Sequence, residues 1–251
     1  MWPMDLGLGG RTALVTGATR GIGLAIARAL AAEGARVVAA ARTPADVERV
    51  GAELAGDGVA ADLTTEEGCL AAVEACGGRL DVLVNNLGLR AGSSWSDTGL
   101  AQFESALAGN LYPAVRLSQL ALPGMRERGW GRIVVVSSLY GREAGGPPAY
   151  NVAKAAEISF VKSLAREVAR DGVTVNTVAP GSILFKGGSW WRRQQADPDG
   201  IAAFVEREIP LGRFGSTEEV ANVVAFLCST RASLVTGACW AVDGAQGRSN
   251  I

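Results

Sequence analysis

Tyr150 and Lys154, in Y-N-V-A-K, stand four residues apart. In a helix that spacing stacks the two side chains on one face. The chain holds only three tyrosines and three lysines, and Tyr150 alone has a lysine four positions on. A phenol in water ionises near pH ~10, too high for ready proton exchange at neutrality. An ammonium held beside a phenol favours the phenolate. A phenol brought toward pH ~7 in this way becomes an efficient general acid/base. Taken by itself such a pair is equally an accident of a helix surface, so its meaning depends on the elements that position it.

Those elements alternate along the 251 residues. Short apolar runs rich in Val, Ile and Ala read as strands buried on both faces: Thr12–Thr16, Arg36–Ala40, Val59–Ala61, Val82–Asn85, Arg132–Ser137, Thr174–Val178 and Cys239–Val242. Helical patterning covers Ile22–Glu33, Thr65–Cys76, Leu100–Arg128, Ala149–Asp171 and Thr217–Ser229. Gly34 stands where a helix C-terminal glycine belongs, and Ser216 with Glu219 forms a capping box. Strict strand–helix alternation predicts an α/β fold of one domain, a doubly wound Rossmann fold with a seven-stranded parallel sheet flanked by helices. The segment Ser182–Pro210 breaks the rhythm as a long loop, and loops of that length commonly act as active-site lids.

Composition narrows the chemistry. A net charge of −1 without a basic run argues against nucleic acid or a membrane as the main partner. There is no histidine, and none of the four cysteines forms a C-x-x-C. That pattern rules out a Cys/His zinc site and a histidine triad, so no metal is expected. Cys69, Cys76, Cys228 and Cys239 read as reduced, mostly buried thiols. The opening M-W-P-M-D-L-G has neither a basic stretch nor an apolar signal core, which gives a cytoplasmic expectation.

The first strand runs into Thr16-Gly17-Ala18-Thr19-Arg20-Gly21-Ile22-Gly23 and then a helix. Glycines there let the backbone approach a pyrophosphate, and the helix N-terminus favours its charge. The T-G-x-x-x-G-x-G turn, Asn85-Asn86-Leu87-Gly88, Ser138 and Tyr150-x-x-x-Lys154 together resemble the short-chain dehydrogenase/reductase family. The resemblance spans nearly the whole chain, ending in Ile209-Pro210-Leu211-Gly212-Arg213, Thr236-Gly237 and Val242-Asp243-Gly244. Among family members it points to ketoreductases similar to 3-oxoacyl-[acyl-carrier-protein] reductases.

The resemblance implies a site, residue by residue. Tyr150 is the acid/base, Ser138 (not Ser137) positions the substrate oxygen, Lys154 acts on the phenol and binds the nicotinamide ribose, and Asn110 maintains a water linking the lysine to solvent. The cofactor would lie along Gly17, Thr19, Arg20, Gly21, Ile22 and Gly23, then Ala41 and Arg42, Asp62 and Leu63, Asn86 and Gly88, and Pro180, Gly181 and Ile183. NAD-preferring relatives carry an acid at the end of the second strand; here that position is Ala41, followed by Arg42. A carboxylate would repel a 2′-phosphate, whereas Arg42 and Arg20 can pair with one, so NADP(H) is the expected cofactor. Asp62 is expected at the adenine ring or as a loop acid capping the next helix, and Asn85 to hold the local backbone. Two departures stand out: Leu87 replaces the usual alanine, and Phe185 replaces a threonine that touches the cofactor phosphates, a role open to Ser182.

Substrate contacts are expected from Arg90, Trp95, Tyr140 and Trp190, although the lid residues Trp190 to Arg193 equally suit packing, and Gly187-Gly188 suits a hinge. The implied partner is a small carbonyl or alcohol. The family's quaternary habit implies a homotetramer, with a dimer as fallback, and a tail Gly247–Ile251 that can reach a neighbour. Rival readings are a non-catalytic NADP(H)-sensing protein on the same fold, a nucleotide-sugar epimerase, which needs a larger C-terminal region, and an enoyl reductase, which separates tyrosine and lysine more widely.

Overall fold

The computed structural model describes residues 5–250. Met1–Met4 and Ile251, on which the readings of the opening segment and the tail partly bear, lie outside them. Seven parallel strands form one sheet in the order β3-β2-β1-β4-β5-β6-β7. They are β1 Thr12–Thr16, β2 Arg36–Ala41, β3 Asp57–Ala60, β4 Val82–Asn85, β5 Gly131–Val136, β6 Val173–Pro180 and β7 Cys239–Val242. The expected doubly wound α/β architecture is the one found.

Period-2 alternation splits the strand residues between two cores. Ala13, Val15, Val37, Ala39, Val82, Val84, Val134 and Val136 face one side, and Leu14, Val38, Ala40, Leu83, Ile133 and Val135 the other. The first core is closed by α1 (Gly21–Ala32) and α9 (Thr217–Cys228), through Ile26, Leu30, Val220 and Val224. The second is closed by α3 (Glu66–Glu74), α5 (Leu111–Glu127) and α6 (Pro148–Val168), through Ala72, Leu117 and Val161. Burial on both faces explains why these strands read as nearly continuous apolar runs.

Two expectations are corrected, and one helix had no expectation. The stretch Leu100–Arg128 is two helices, α4 (Leu100–Gly109) and α5, broken at Asn110 with φ −126° and ψ −66°. The long loop 182–210 contains α7 (Ser189–Ala196) and α8 (Pro198–Glu208), held by Trp190 stacked on Phe204 at 4.6 Å and tilted against Phe214 at 5.3 Å. A helix unread in the sequence, α2 (Pro44–Glu53), follows β2; it opens on a proline at its first position and buries only Val47, Val50 and Gly51.

The terminal signals hold. Ser216 Oγ accepts from Glu219 N at 3.2 Å, while Glu219 Oε2 accepts from Ser216 N at 2.8 Å. Gly34 adopts φ +84° just past α1. All four cysteines are free thiols, and burial pushes Cys228 up to about 12. No helix among the described residues is long and apolar enough to cross a membrane.

Candidate active site

The strand order turns back between β1 and β4, and in such sheets ligands bind beyond the C-terminal strand ends at that point. A cavity of about 590 Å³ opens there. Gly17, Thr19, Arg20, Ile22 and Gly23 form one wall, Ala41, Arg42, Asp62 and Leu63 another, and Asn86, Leu87, Gly88 and Gly109 its inner end.

The glycine turn is built by its neighbours. Thr16 Oγ1 donates to Val84 O at 3.3 Å and accepts from Asn86 N at 2.8 Å and Leu87 N at 2.9 Å. The Asn86 amide donates to Thr16 O at 2.9 Å and Gly17 O at 3.3 Å. This corrects the role expected of Asn85: its buried amide has no partner among the described residues, and Asn86 ties the backbone instead. A Cβ on Gly23 would collide with Gly17 O and Asn86 Nδ2, so only glycine fits. Helix α1 begins without a side-chain cap and without an acid in its first turn. Its free N–H groups and positive dipole end therefore face the cavity. Neither Arg20 nor Arg42 closes an ion pair among the described residues. An uncapped helix start, a cradle that excludes any side chain and two unpaired guanidiniums fit a phosphate-bearing dinucleotide.

Asp62 Oδ1 accepts from Thr64 Oγ1 at 2.8 Å and Thr64 N at 3.0 Å, and these bonds hold the acid below the usual carboxylate range. The cap of α3 is Thr65, whose Oγ1 accepts from Gly68 N at 3.0 Å, so Asp62 does not cap that helix. Phe185 lines the cavity with its ring over the first residue of α1, where a Cβ on Gly21 would lie 2.8 Å away. Ser182 N donates to Gln246 Oε1 at 2.8 Å, and the residue is buried. Pro180, Gly181 and Ile183 stand at the end of β6 toward β7, where Gly181 N donates to Val242 O at 3.0 Å; they are not among the residues lining the cavity.

The four residues singled out for chemistry come from three places. Ser138 follows β5 and caps a 3-10 turn, its Oγ accepting from Tyr140 N at 3.2 Å, which leaves its own proton free for another acceptor. Ser137, by contrast, is structural: its Oγ donates to the Lys154 carbonyl at 2.9 Å. Asn110, at the α4–α5 break, donates to Leu89 O at 2.8 Å and Ala106 O at 2.7 Å and accepts from Leu89 N at 3.2 Å. Both amide hydrogens are used, and one Oδ1 lone pair remains for a water. Tyr150 and Lys154 share one face of α6, with the ammonium 5.7 Å from the ring centre. A Cβ on Gly88 would lie 3.4 Å from Asn110 Oδ1 and 3.6 Å from Lys154 Nζ, so both groups converge on the inner end of the cavity.

Sequence reasoning missed Glu157. Lys154 Nζ donates to its two oxygens at 3.0 and 3.1 Å and to Val136 O at 3.1 Å. Burial opposes the lysine's charge, yet Glu157, with the Tyr150 oxygen, holds it above the ordinary lysine value. Burial pushes Glu157 up to about 7 against the pull of Lys154 and the Ser137 hydroxyl.

The residues expected at the substrate are dispersed. Arg90 lies over the Tyr150 ring at 5.6 Å. Tyr140 stands two residues after Ser138, and its carbonyl accepts from Asn151. Trp95 is three-quarters exposed and 6.0 Å from Phe103. Trp190 is occupied by its stack on Phe204 and Phe214, with Arg193 over it at 5.0 Å, which is the packing alternative for that segment.

Comparison with known proteins shows which family the chain resembles. The family described as enoyl-(acyl carrier protein) reductase matches residues 17–245. The 3-oxoacyl-[acyl-carrier-protein] reductase FabG of Escherichia coli K12 is 37% identical over 241 residues, covering 94% of this chain and 96% of that protein. The L-sorbose reductase of Gluconobacter frateurii, solved with NADPH and L-sorbose, superposes with a TM-score of 0.91 at 34% identity, over 98% of this chain and 100% of that one. A 3-oxoacyl-(acyl-carrier-protein) reductase of Agrobacterium tumefaciens C58 with NADP bound gives a TM-score of 0.89 at 34% identity, over 96% and 95%. The chain belongs to the short-chain dehydrogenase/reductase family of oxidoreductases, among relatives of the 3-oxoacyl-[acyl-carrier-protein] reductase kind.

Proposed function

We propose that the chain is an NADP(H)-dependent ketoreductase that interconverts a ketone and an alcohol, with Tyr150 as general acid/base. The observation that carries this reading is the meeting of Asn110, Lys154 and Gly88 at the inner end of a cavity whose outer end is an anion cradle. When bound, NADPH supplies the hydride that reduces the carbonyl carbon. The uncapped N-terminus of α1 and the glycine turn hold the pyrophosphate, and Arg42 with Arg20 hold the 2′-phosphate. The L-sorbose reductase and the Agrobacterium reductase named above were solved with NADPH and with NADP, which supports the same choice for this chain.

The Tyr150 hydroxyl delivers a proton to the developing alkoxide, and the free Ser138 O–H donates to the same oxygen. Preorganised donors aimed at developing oxyanion charge are commonly the largest catalytic contribution. Lys154 places a positive charge beside the phenol, and Asn110, with its remaining lone pair, holds a water for proton resupply. The four-residue Tyr150–Lys154 spacing supports carbonyl rather than enoyl reduction. Segment 182–210, with Phe185 against α1, serves as the lid over the site. A homotetramer belongs to the same reading: Leu100, Tyr112 and Val152 on α4–α6, and Trp240 on β7, are large apolar side chains left exposed for subunit contacts.

The test is NADPH consumption against a carbonyl panel that includes 3-oxoacyl thioesters and ketoses, with NADH in parallel and Tyr150→Phe as the blank. Turnover on the panel should fall by several orders of magnitude in the variant while NADPH still binds. A variant retaining near-normal turnover would remove Tyr150 from its role.

A further inference from the structure

Tyr150, Lys154 and Glu157 occupy positions i, i+4 and i+7 of α6, a stripe along one helix face over two turns. The ammonium therefore lies between a phenol and a carboxylate. It is 5.7 Å from the centre of the phenol ring and 3.0 Å from the nearer carboxylate oxygen. The lysine and glutamate side chains are 3% and 1% exposed. An ammonium has three hydrogens, and here Val136 O and the two Glu157 oxygens account for three acceptors. A buried carboxylate is costly to keep, because desolvation penalises its charge and the gain from one partner often fails to offset that. Val136 O shares the anchoring of the lysine with the acid, and unlike a carbonyl the acid also brings a full charge to the ammonium.

We propose that Glu157 is a positioning residue for the Tyr150 chemistry: its carboxylate draws the Lys154 ammonium toward itself and offsets part of the positive charge felt by the phenol. The inference rests on Tyr150 being the acid/base. The charges acting on Lys154 are Glu157 and Tyr150, and the charge acting on Glu157 is Lys154. From β5 and the residue after it, the pair meets the Val136 carbonyl and the Ser137 hydroxyl. From the α4–α5 break it has the neutral Asn110 as a neighbour across Gly88. The loop after β4 adds one cation, Arg90, over the far partner Tyr150. Since burial brings Glu157 up to about 7, the offset operates above neutrality and fades below it, when the acid takes a proton.

The test needs no turnover. With only three tyrosines, the phenolate absorbance of the cofactor-free protein can be titrated directly, and subtraction of the Tyr150→Phe curve isolates Tyr150. Glu157→Gln keeps the shape and removes the charge, leaving the ammonium uncompensated. The Tyr150 transition should then move to lower pH by about one unit, a tenfold larger phenolate fraction at a given pH below it. The pH profile of alcohol oxidation should move in the same direction. An unmoved transition, or one moved to higher pH, overturns the proposal. If circular dichroism showed Glu157→Gln unfolded, Glu157→Leu would carry the same titration with the same expected direction. Failure of the ketoreductase reading would show separately, as turnover surviving in Tyr150→Phe.

Discussion

The Arg90 guanidinium lies 5.6 Å from the centre of the Tyr150 ring, and the Lys154 ammonium lies 5.7 Å from the same centre. The phenol thus has two cations about it. The lysine is buried and held by Glu157 and Val136. Arg90 makes no ion pair among the described residues, so its donors remain available to a ligand. If Arg90 meets the substrate, substrates carrying a negative charge near the carbonyl should benefit most. Arg90→Ala should then lower kcat/KM for a keto acid by about tenfold to a hundredfold, the worth of one hydrogen bond to a charged group, and lower it much less for the matching ester. Equal losses on acid and ester would reduce Arg90 to packing on the ring.

Arg42 tests the cofactor assignment. It follows β2 directly, lines the cavity and stands where an acid would select against a 2′-phosphate. Arg42→Ala should weaken NADPH binding by about tenfold or more, since hydrogen bonds to charged groups contribute roughly 1.5–3 kcal/mol. NADH binding should hardly change. Calorimetric titration of both nucleotides against both proteins gives the comparison, and the NADPH loss should shrink with added salt as the partly exposed charges are screened.

The capping box of α9 was legible in sequence and can be checked as a stability feature. Ser216 Oγ accepts from Glu219 N, and Glu219 accepts from Ser216 N and from Arg213 Nη1 and Nη2. Ser216→Ala should cost about 1 kcal/mol, seen as a fall in Tm of roughly 2–4 °C for a chain of this size. Because α9 packs on α1 through the first core, the loss should appear in global unfolding rather than as local fraying.

What the sequence disclosed and what it hid divide by the range of the interactions. The strands and the glycine turn were readable because burial on both faces and the Gly23 close approach are written into adjacent residue types. The α4–α5 break was not readable, since the pattern runs through Asn110 and the break is bonded to Leu89, twenty-one residues away. Helices α7 and α8 hid for a similar reason: Trp190 finds its ring partners at Phe204 and Phe214. Helix α2 carries only two buried valines among charged residues, too thin an apolar stripe to register. Glu157 looked like any glutamate in a helix; its setting beside Lys154 and Ser137 comes from the fold.

That burial has a consequence for stability. Glu157 titrates at about 7 in the folded chain against an ordinary value of 4.5, because desolvation outweighs Lys154 and Ser137. A folded value above the unfolded one means that the folded state binds this proton more tightly. The resulting stabilisation is complete below the ordinary value and is lost as pH rises through about 7. Its full size is roughly 3 kcal/mol, from about 1.4 kcal/mol per pH unit. Lys154, raised above its ordinary 10.5, contributes a constant stabilisation through this window that is lost only at more alkaline pH, so it leaves the window clear. The unfolding free energy of the natural chain, measured in urea, should therefore decline relative to Glu157→Gln as the pH is raised from weakly acid to weakly alkaline. A difference between the two proteins that stayed constant across that range would mean that Glu157 is already ionised in the folded chain at acid pH, with Lys154 outweighing burial.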